Sequence, residues 1–528
     1  MKVPLSLPAL SGIRVRTSLS AMATAFLLLQ PPAFAADYTF THSSGSHEWN
    51  APATWGLTDP GAFPGSPDDN VLFSPASGSE EVTLLVAPNG TTSIGNLVYD
   101  GDGTESQRLY ARRSRNVVLK LVSLQKGGNR TLVIGNGGDD RSLGLEIGTF
   151  ELDEGTVEIG QGTALLDKFE VSGTTKIGAS GLLLFTGINN GNRLRLGALD
   201  LEAGGRIYLG GRGNSTGTLE VASLQGAGEV TVWGSPTHAG TASTVEIVGD
   251  GPAPTTFTGT LRDTNNAAFP ATLALIKQGE GTQILSRTGS TAADHENPYS
   301  GGTIISGGIL AIHNERHDAS VLGTGAVTVG EGGVLAAAGT GTVRLGNGRS
   351  ITIEAGGALA PGALGEGFAE LKLNGAINGS SPILLVESGG ELVFRLGSGN
   401  QSDTITFLSY EGAADLPSTG MRLTLDQVQE GVFTLFSFFG DEAGLTSVGS
   451  GLAAGAFTLG PLDGFTGTLH YDETGYGGLG VVALEIVAIP EPATLSLLPG
   501  VVLLGVWQIR RRRKKGASPS LGKQVNRS

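Results

Sequence analysis

Around residues 300–360 the chain alternates apolar and polar positions in short bursts, each broken by a Gly-Gly pair. Thr328–Leu335 (TVGEGGVL) recurs as Thr352–Leu359 (TIEAGGAL) at an offset of 24 residues, and Ile304–Leu310 (IISGGIL) lies 25 residues upstream of the first. Related fragments stand at Leu199–Ile207 and Leu385–Leu392. Each reads as an alternating strand, a glycine turn and a second strand. Glycine supplies the positive φ that such turns need. One unit cannot bury its own apolar face, so units must stack, at about 4.8 Å per rung, into a column of Val, Ile and Leu. A rung of about 24 residues suits a right-handed parallel β-helix. The expected fold class is therefore all-β: a β-solenoid over 91–396, an N-terminal cap over 36–90 and a C-terminal β-module over 397–489. A sandwich of antiparallel hairpins is the competing architecture.

Composition narrows this further. The 528 residues include 85 Gly without a Gly-X-Y period, which excludes collagen, and glycine at that level disfavours long helices. A hydrophobic content of 39% is too high for a disordered chain. There is no Cys, so stability rests on no disulfide.

The two ends differ in character from the repeats. Lys2, Arg14 and Arg16 precede the apolar Ala21–Leu29, and Ala33-Phe34-Ala35 forms an A-x-A cleavage site. Residues 1–35 thus read as a signal peptide cleaved before Ala36. At the other end, Pro490-Glu491-Pro492 is followed by the 17-residue apolar stretch Ala493–Ile509 and then by Arg510, Arg511, Arg512, Arg513, Lys514 and Lys515. The apolar stretch predicts a single C-terminal transmembrane helix near the lower length limit, with the basic cluster held cytoplasmic. This three-part tail, residues 490–515, resembles the PEP-CTERM sorting signal, although the polar extension 516–528 is longer than usual. The resemblance implies recognition by an exosortase-type enzyme, a transient or permanent anchor in the inner membrane, cleavage near Pro490, and release to the cell surface or an exopolysaccharide matrix. With the ends set aside, residues 37–489 hold 23 basic and 48 acidic side chains, a net charge of −25. Such a surface repels nucleic acid and anionic lipid, so no nucleic-acid partner is expected.

Residues 273–312 (LALIKQGEGTQILSRTGSTAADHENPYSGGTIISGGILAI) closely resemble the autotransporter-associated β-strand repeat. The matching positions are Leu275, Lys277, Gly279, Gly281, Thr282, Tyr299, Gly301, Gly302, Thr303, Gly307, Gly308 and Leu310. The resemblance implies a parallel β-helix of the passenger type. No run of amphipathic strands of the kind that builds an outer-membrane barrel follows the repeats, so another export route is expected.

Trp49, Trp55, Phe63 and Asp68-Asp69-Asn70 form an aromatic, turn-rich opening, read as a cap over the first rung; carbohydrate binding through Trp49 or Trp55 is the sharper alternative. Beyond Gly397 the Gly-Gly rhythm fades and Phe407, Phe433, Phe436, Phe438, Phe439 and Tyr471 enter. Candidate chemistry is thin. Gly213–Gly217 (GNSTG) matches the G-x-S-x-G pattern but has no helical pattern after it. His313–Asp318 (HNERHD) is not H-E-x-x-H. Gly135–Asp140 (GNGGDD) is a single copy of a calcium nonapeptide that needs tandem copies, and Asp100–Gly103 lacks the downstream Glu of an EF-hand. No catalytic residue, metal ligand or cofactor is assigned. The expectation is an exported structural or adhesive surface protein, with a β-helical polysaccharide lyase or hydrolase as the rival.

Overall fold

In the computed structural model the described residues run from 36 to 489, apart from stretches such as 112–116, 211–216, 235–241, 375–382 and 446–457. The signal-peptide residues Ala33 and Ala35, the motif Pro490-Glu491-Pro492, the expected transmembrane helix and the Arg510–Lys515 cluster lie outside them. Among the described residues only two helices occur, the four-residue 3-10 turns Pro52–Trp55 and Ala292–His295, and no helix is long and apolar enough to cross a membrane.

The strands stack in parallel, in three columns that form three faces of a solenoid. The first face starts at 90–94 and climbs through 117–121, 143–147 and 193–196 to 351–353 and 384–386. The second starts at Asp37–Phe40, passes 70–73 and 96–100, and reaches 422–423 and 458–459. Parallel pairing thus begins within 36–90 and extends well into 397–489. The third face runs from Gly45–Glu48 to 260–262. It resumes at Thr340–Arg344 and ends where Gly431–Gly440 meets Val481–Ala488 in antiparallel fashion, with Phe465–Tyr471 outside that.

The sequence period is the coil of this stack. Val327 pairs with Ile351 and Leu335 with Leu359, so the 24-residue offset holds on both sides of the Gly-Gly turn. Ile304 pairs with Thr328 but Ile309 with Val334, because the upper turn is one residue longer. Alternation sends every second side chain inward. On the second face Phe40, Phe73, Tyr99 and Lys126 stack in register, followed by Leu152, Ile177 and Leu201. The rings of Phe40 and Phe73 lie 4.7 Å apart, and the Lys126 ammonium sits 5.0 Å from the Tyr99 ring centre. Trp49 and Trp55 close the N-terminal end from inside. Both are buried, and their indole N–H groups donate to the carbonyls of Pro64 (2.9 Å) and Trp49 (2.6 Å). With no face turned to solvent, neither ring is available to stack on a sugar, and the carbohydrate alternative for this pair is withdrawn.

Between 263 and 339 no described strand continues the third face. Buried amide side chains take over the missing backbone pairing. Asn297 accepts from the Leu261 N–H below (3.0 Å) and donates to the Val321 carbonyl above (2.9 Å). Asn314 accepts from Thr342 N–H and donates to Ala319 O. On the second face, Gln283 reaches to Leu224, accepting from its N–H (3.1 Å) and donating to its carbonyl (2.8 Å). Each satisfies polar groups that burial would otherwise strand without water.

Candidate functional site

The residues singled out by the 273–312 resemblance converge on a single device. Thr272–Lys277 ends on the first face, the chain turns, and Thr282–Ser286 begins the second. Lys277 is buried at that corner. Its ammonium donates to the carbonyls of Gln278, Gly279 (2.8 Å) and, in the coil above, Gly307 (3.2 Å). Burial pushes it down to about 8, with Asp250 opposing. Gly279 sits at φ +68°, and a Cβ on Gly308 (φ +59°) would lie 2.5 Å from the Gly279 carbonyl oxygen. The corner is therefore closed by glycines that let successive turns touch and by one cation that ties them together. Tyr299 and Thr303 share a buried hydrogen bond of 2.7 Å, and Thr303 also donates to Leu322 O (3.3 Å). The repeat motif is the joinery of a coil.

A second copy of this corner escaped the sequence reading. Leu124-Gln125-Lys126-Gly127-Gly128-Asn129-Arg130-Thr131 aligns with Leu275–Thr282, with Arg130 in place of Gly281. Lys126 donates to the carbonyls of Gly127 (2.6 Å), Gly128 and, one coil up, Glu154 (3.1 Å). Gly128 has φ +69°. Burial again pushes the ammonium down to about 8, partly offset by Glu154 and neighbouring aspartates. The signal was present as Leu-x-Lys-x-Gly-x-x-Thr, but the missing second glycine hid it.

The remaining candidates do not assemble chemistry. Gly217 leads into the strand Thr218–Gly226 where a nucleophile elbow requires a helix, and 213–216 lie outside the described residues. His313 ends the strand Gly308–His313, its Nδ1 3.1 Å from Ser286 Oγ; Glu315, His317 and Asp318 lie outside the described residues. Gly135 and Asn136 end the strand Thr131–Asn136, with 137–140 outside. Asp102 accepts from Asn129 N–H (3.2 Å) and serves the turn. Among the described residues no group of three or more His, Asp or Glu is placed to hold a metal ion.

Outward positions carry mostly Thr, Glu, Lys and Arg. Lys120 and Glu146 pair at 2.9 Å, Lys168 and Glu170 at 2.6 Å, Arg195 and Glu220 at 3.2 Å. One outward pair differs. Tyr208 and Trp233 stand on successive coils of the third face with ring centres 5.3 Å apart, and Trp233 is 37% exposed.

Residues 275–312 match the Passenger-associated-transport-repeat, in agreement with the repeat expected there. The chain is also 34% identical over 134 residues to the Adhesin BmaC autotransporter of Brucella suis biovar 1 (strain 1330), covering 25% of this chain and 3% of that protein. It is 24% identical over 234 residues to the Uncharacterized lipoprotein YdeK of Escherichia coli (strain K12), covering 43% of this chain and 16% of the relative. The chain thus spans under a fifth of the length of these curated relatives. An all-β parallel solenoid bearing this repeat is the class of protein that fold and comparison define.

Proposed function

We propose that the protein is an exported structural or adhesive surface protein. A rigid acidic rod holds its N-terminal cap and side loops away from the membrane, and the Pro490-Glu491-Pro492 tail is read by an exosortase-type enzyme. The observation that carries this reading is the Passenger-associated-transport-repeat set within a parallel stack whose first two faces continue through it. The likeness to a protein named as an autotransporter adhesin supports it. The rod acts by extension and display, since the repeat-motif residues Lys277, Tyr299 and Thr303 are buried and hold coils together. In this reading the Ala493–Ile509 helix anchors the chain in the inner membrane until cleavage, and the acidic body is then released to the surface or to an exopolysaccharide matrix. Intact-mass spectrometry of membrane and released fractions from the host tests it. A released species beginning at Ala36 and ending near Pro490 is the expected result. A species that keeps Arg510–Lys515 in the inner membrane would overturn the sorting step.

A further inference from the structure

We propose that Tyr208 and Trp233, with Arg206, Glu229 and Arg262 around them, form a binding site for a neutral pyranose polysaccharide on the third face of the solenoid. The site deepens the surface reading above and rests on it for its biological setting.

The five side chains come from three successive coils. Arg206 stands in register with Glu229, and Tyr208 with Thr231 and Arg262. Trp233 extends the same strand pairing, its N–H donating to Leu209 O at 2.9 Å. At the spacings of a β-sheet, the patch spans about 10 Å across the coils and 14 Å along the strands, enough for roughly two hexose rings.

Trp233 differs from the other tryptophans the structure describes. Trp49 and Trp55 are buried with bonded indole N–H groups, whereas Trp233 is 37% exposed. Its Nε1, the Tyr208 hydroxyl and the Arg206 guanidinium have no hydrogen-bond partner among the described residues. Leu184 stands in register below Tyr208, and Trp233 keeps over a third of its surface open to solvent.

The chemistry selects the ligand. The C–H face of a pyranose is apolar and weakly positive, which suits the negative face of an aromatic ring. Its hydroxyls both donate and accept, so they need carboxylate and guanidinium partners together. Glu229 and Arg262, 3.9 Å apart, and Arg206 beside them supply both. A polyanion is disfavoured by the net charge of −25 over 37–489. A nucleic acid is disfavoured on the same ground.

Affinity electrophoresis of the full chain in gels containing hydroxyethyl cellulose, dextran or polygalacturonate tests the proposal. Retardation by at least one neutral polymer is expected, unchanged in high salt. Trp233→Ala should weaken it about tenfold and Tyr208→Ala about threefold, the range of a lost aromatic stack, while Trp233→Phe keeps part of it. Circular dichroism and thermal melting of each variant separate lost binding from lost folding. A tryptophan emission change on adding the polymer, absent in Trp233→Phe, gives a second readout. No retardation by either neutral polymer, retardation only by polygalacturonate, or retardation indifferent to Trp233 would overturn the site. None of these outcomes bears on export, and a chain that is never released would still be retarded in vitro, so the two readings fail separately.

Discussion

At the residue scale, two buried lysines do what a core normally forbids. Lys126 and Lys277 are almost fully buried, yet each spends its three N–H donors on carbonyls of its own turn and of the coil above. The cation is tolerated because carbonyls of two successive coils take up its donors, so its polar groups are satisfied without water. Both ammonium groups sit near 8 against an ordinary 10.5. A group depressed in the folded state holds fewer protons there than in the unfolded chain, so its contribution to stability is full above 10.5 and is lost as pH falls through 8. Scanning calorimetry of the wild type and of a Lys126→Met, Lys277→Met double variant should show the gap in melting temperature widening in favour of the wild type from pH 8 to 10.5. A flat difference would mean that the lysines titrate as free side chains.

The same residues show what could be read from sequence. Lys277 was visible through its family spacing, but Lys126 was not, because Arg130 interrupts the glycine pattern. The roles of Gln283, Asn297 and Asn314 were illegible for another reason. A polar residue in a loop and one that stands in for a missing strand have the same letter, and only the stacking of coils far apart in sequence distinguishes them. The tryptophans make the same point in reverse. Trp49 and Trp55 were noticed because they cluster, and it is their clustering that buries them, while the isolated Trp233 faces out.

At the scale of the element, the 24-residue offset was legible where a strand–Gly-Gly–strand unit repeats, from Val327 to Ile351 and from Leu335 to Leu359. Longer coils, such as the one from Ile351 to Leu384, carry no such period. The two glycines of a turn nonetheless have different jobs. Gly332 has φ +76° and nothing within 4 Å of where a Cβ would stand, whereas a Cβ on Gly333 would overlap the Ile305 carbonyl oxygen of the coil below. Gly332→Ala should therefore cost about 1 kcal/mol of backbone strain, largely relieved in Gly332→Asn, because asparagine tolerates left-handed backbone. Gly333→Ala should cost about 1–3 kcal/mol or more, with no relief from asparagine, since the obstacle there is another chain segment. Urea denaturation of the four variants checks the pattern, and equal costs at both positions would refute this division of roles.

At the scale of the whole molecule, each coil is secured by the coils above and below it. Stability is then a sum of neighbour terms and should be lowest at the ends. The N-terminal end is shielded by Trp49 and Trp55, and on the third face the final pairings turn antiparallel. Hydrogen exchange should accordingly find the slowest amides in the central coils, around 143–262, and the fastest at the last parallel pairings, 414–459. Uniform protection along the rod would show that the stack opens as one unit.

The direction of the stacking bonds has one more consequence. In a parallel solenoid the backbone hydrogen bonds point along the long axis, so tension between the two ends loads them in series and opens them one coil at a time. A peeled coil of 24 residues pays out roughly 80 Å of extended chain where it had occupied about 5 Å of rod. A stack built this way stays stiff while its coils are paired and lengthens in steps, one coil at a time, once tension exceeds what a coil's hydrogen bonds hold.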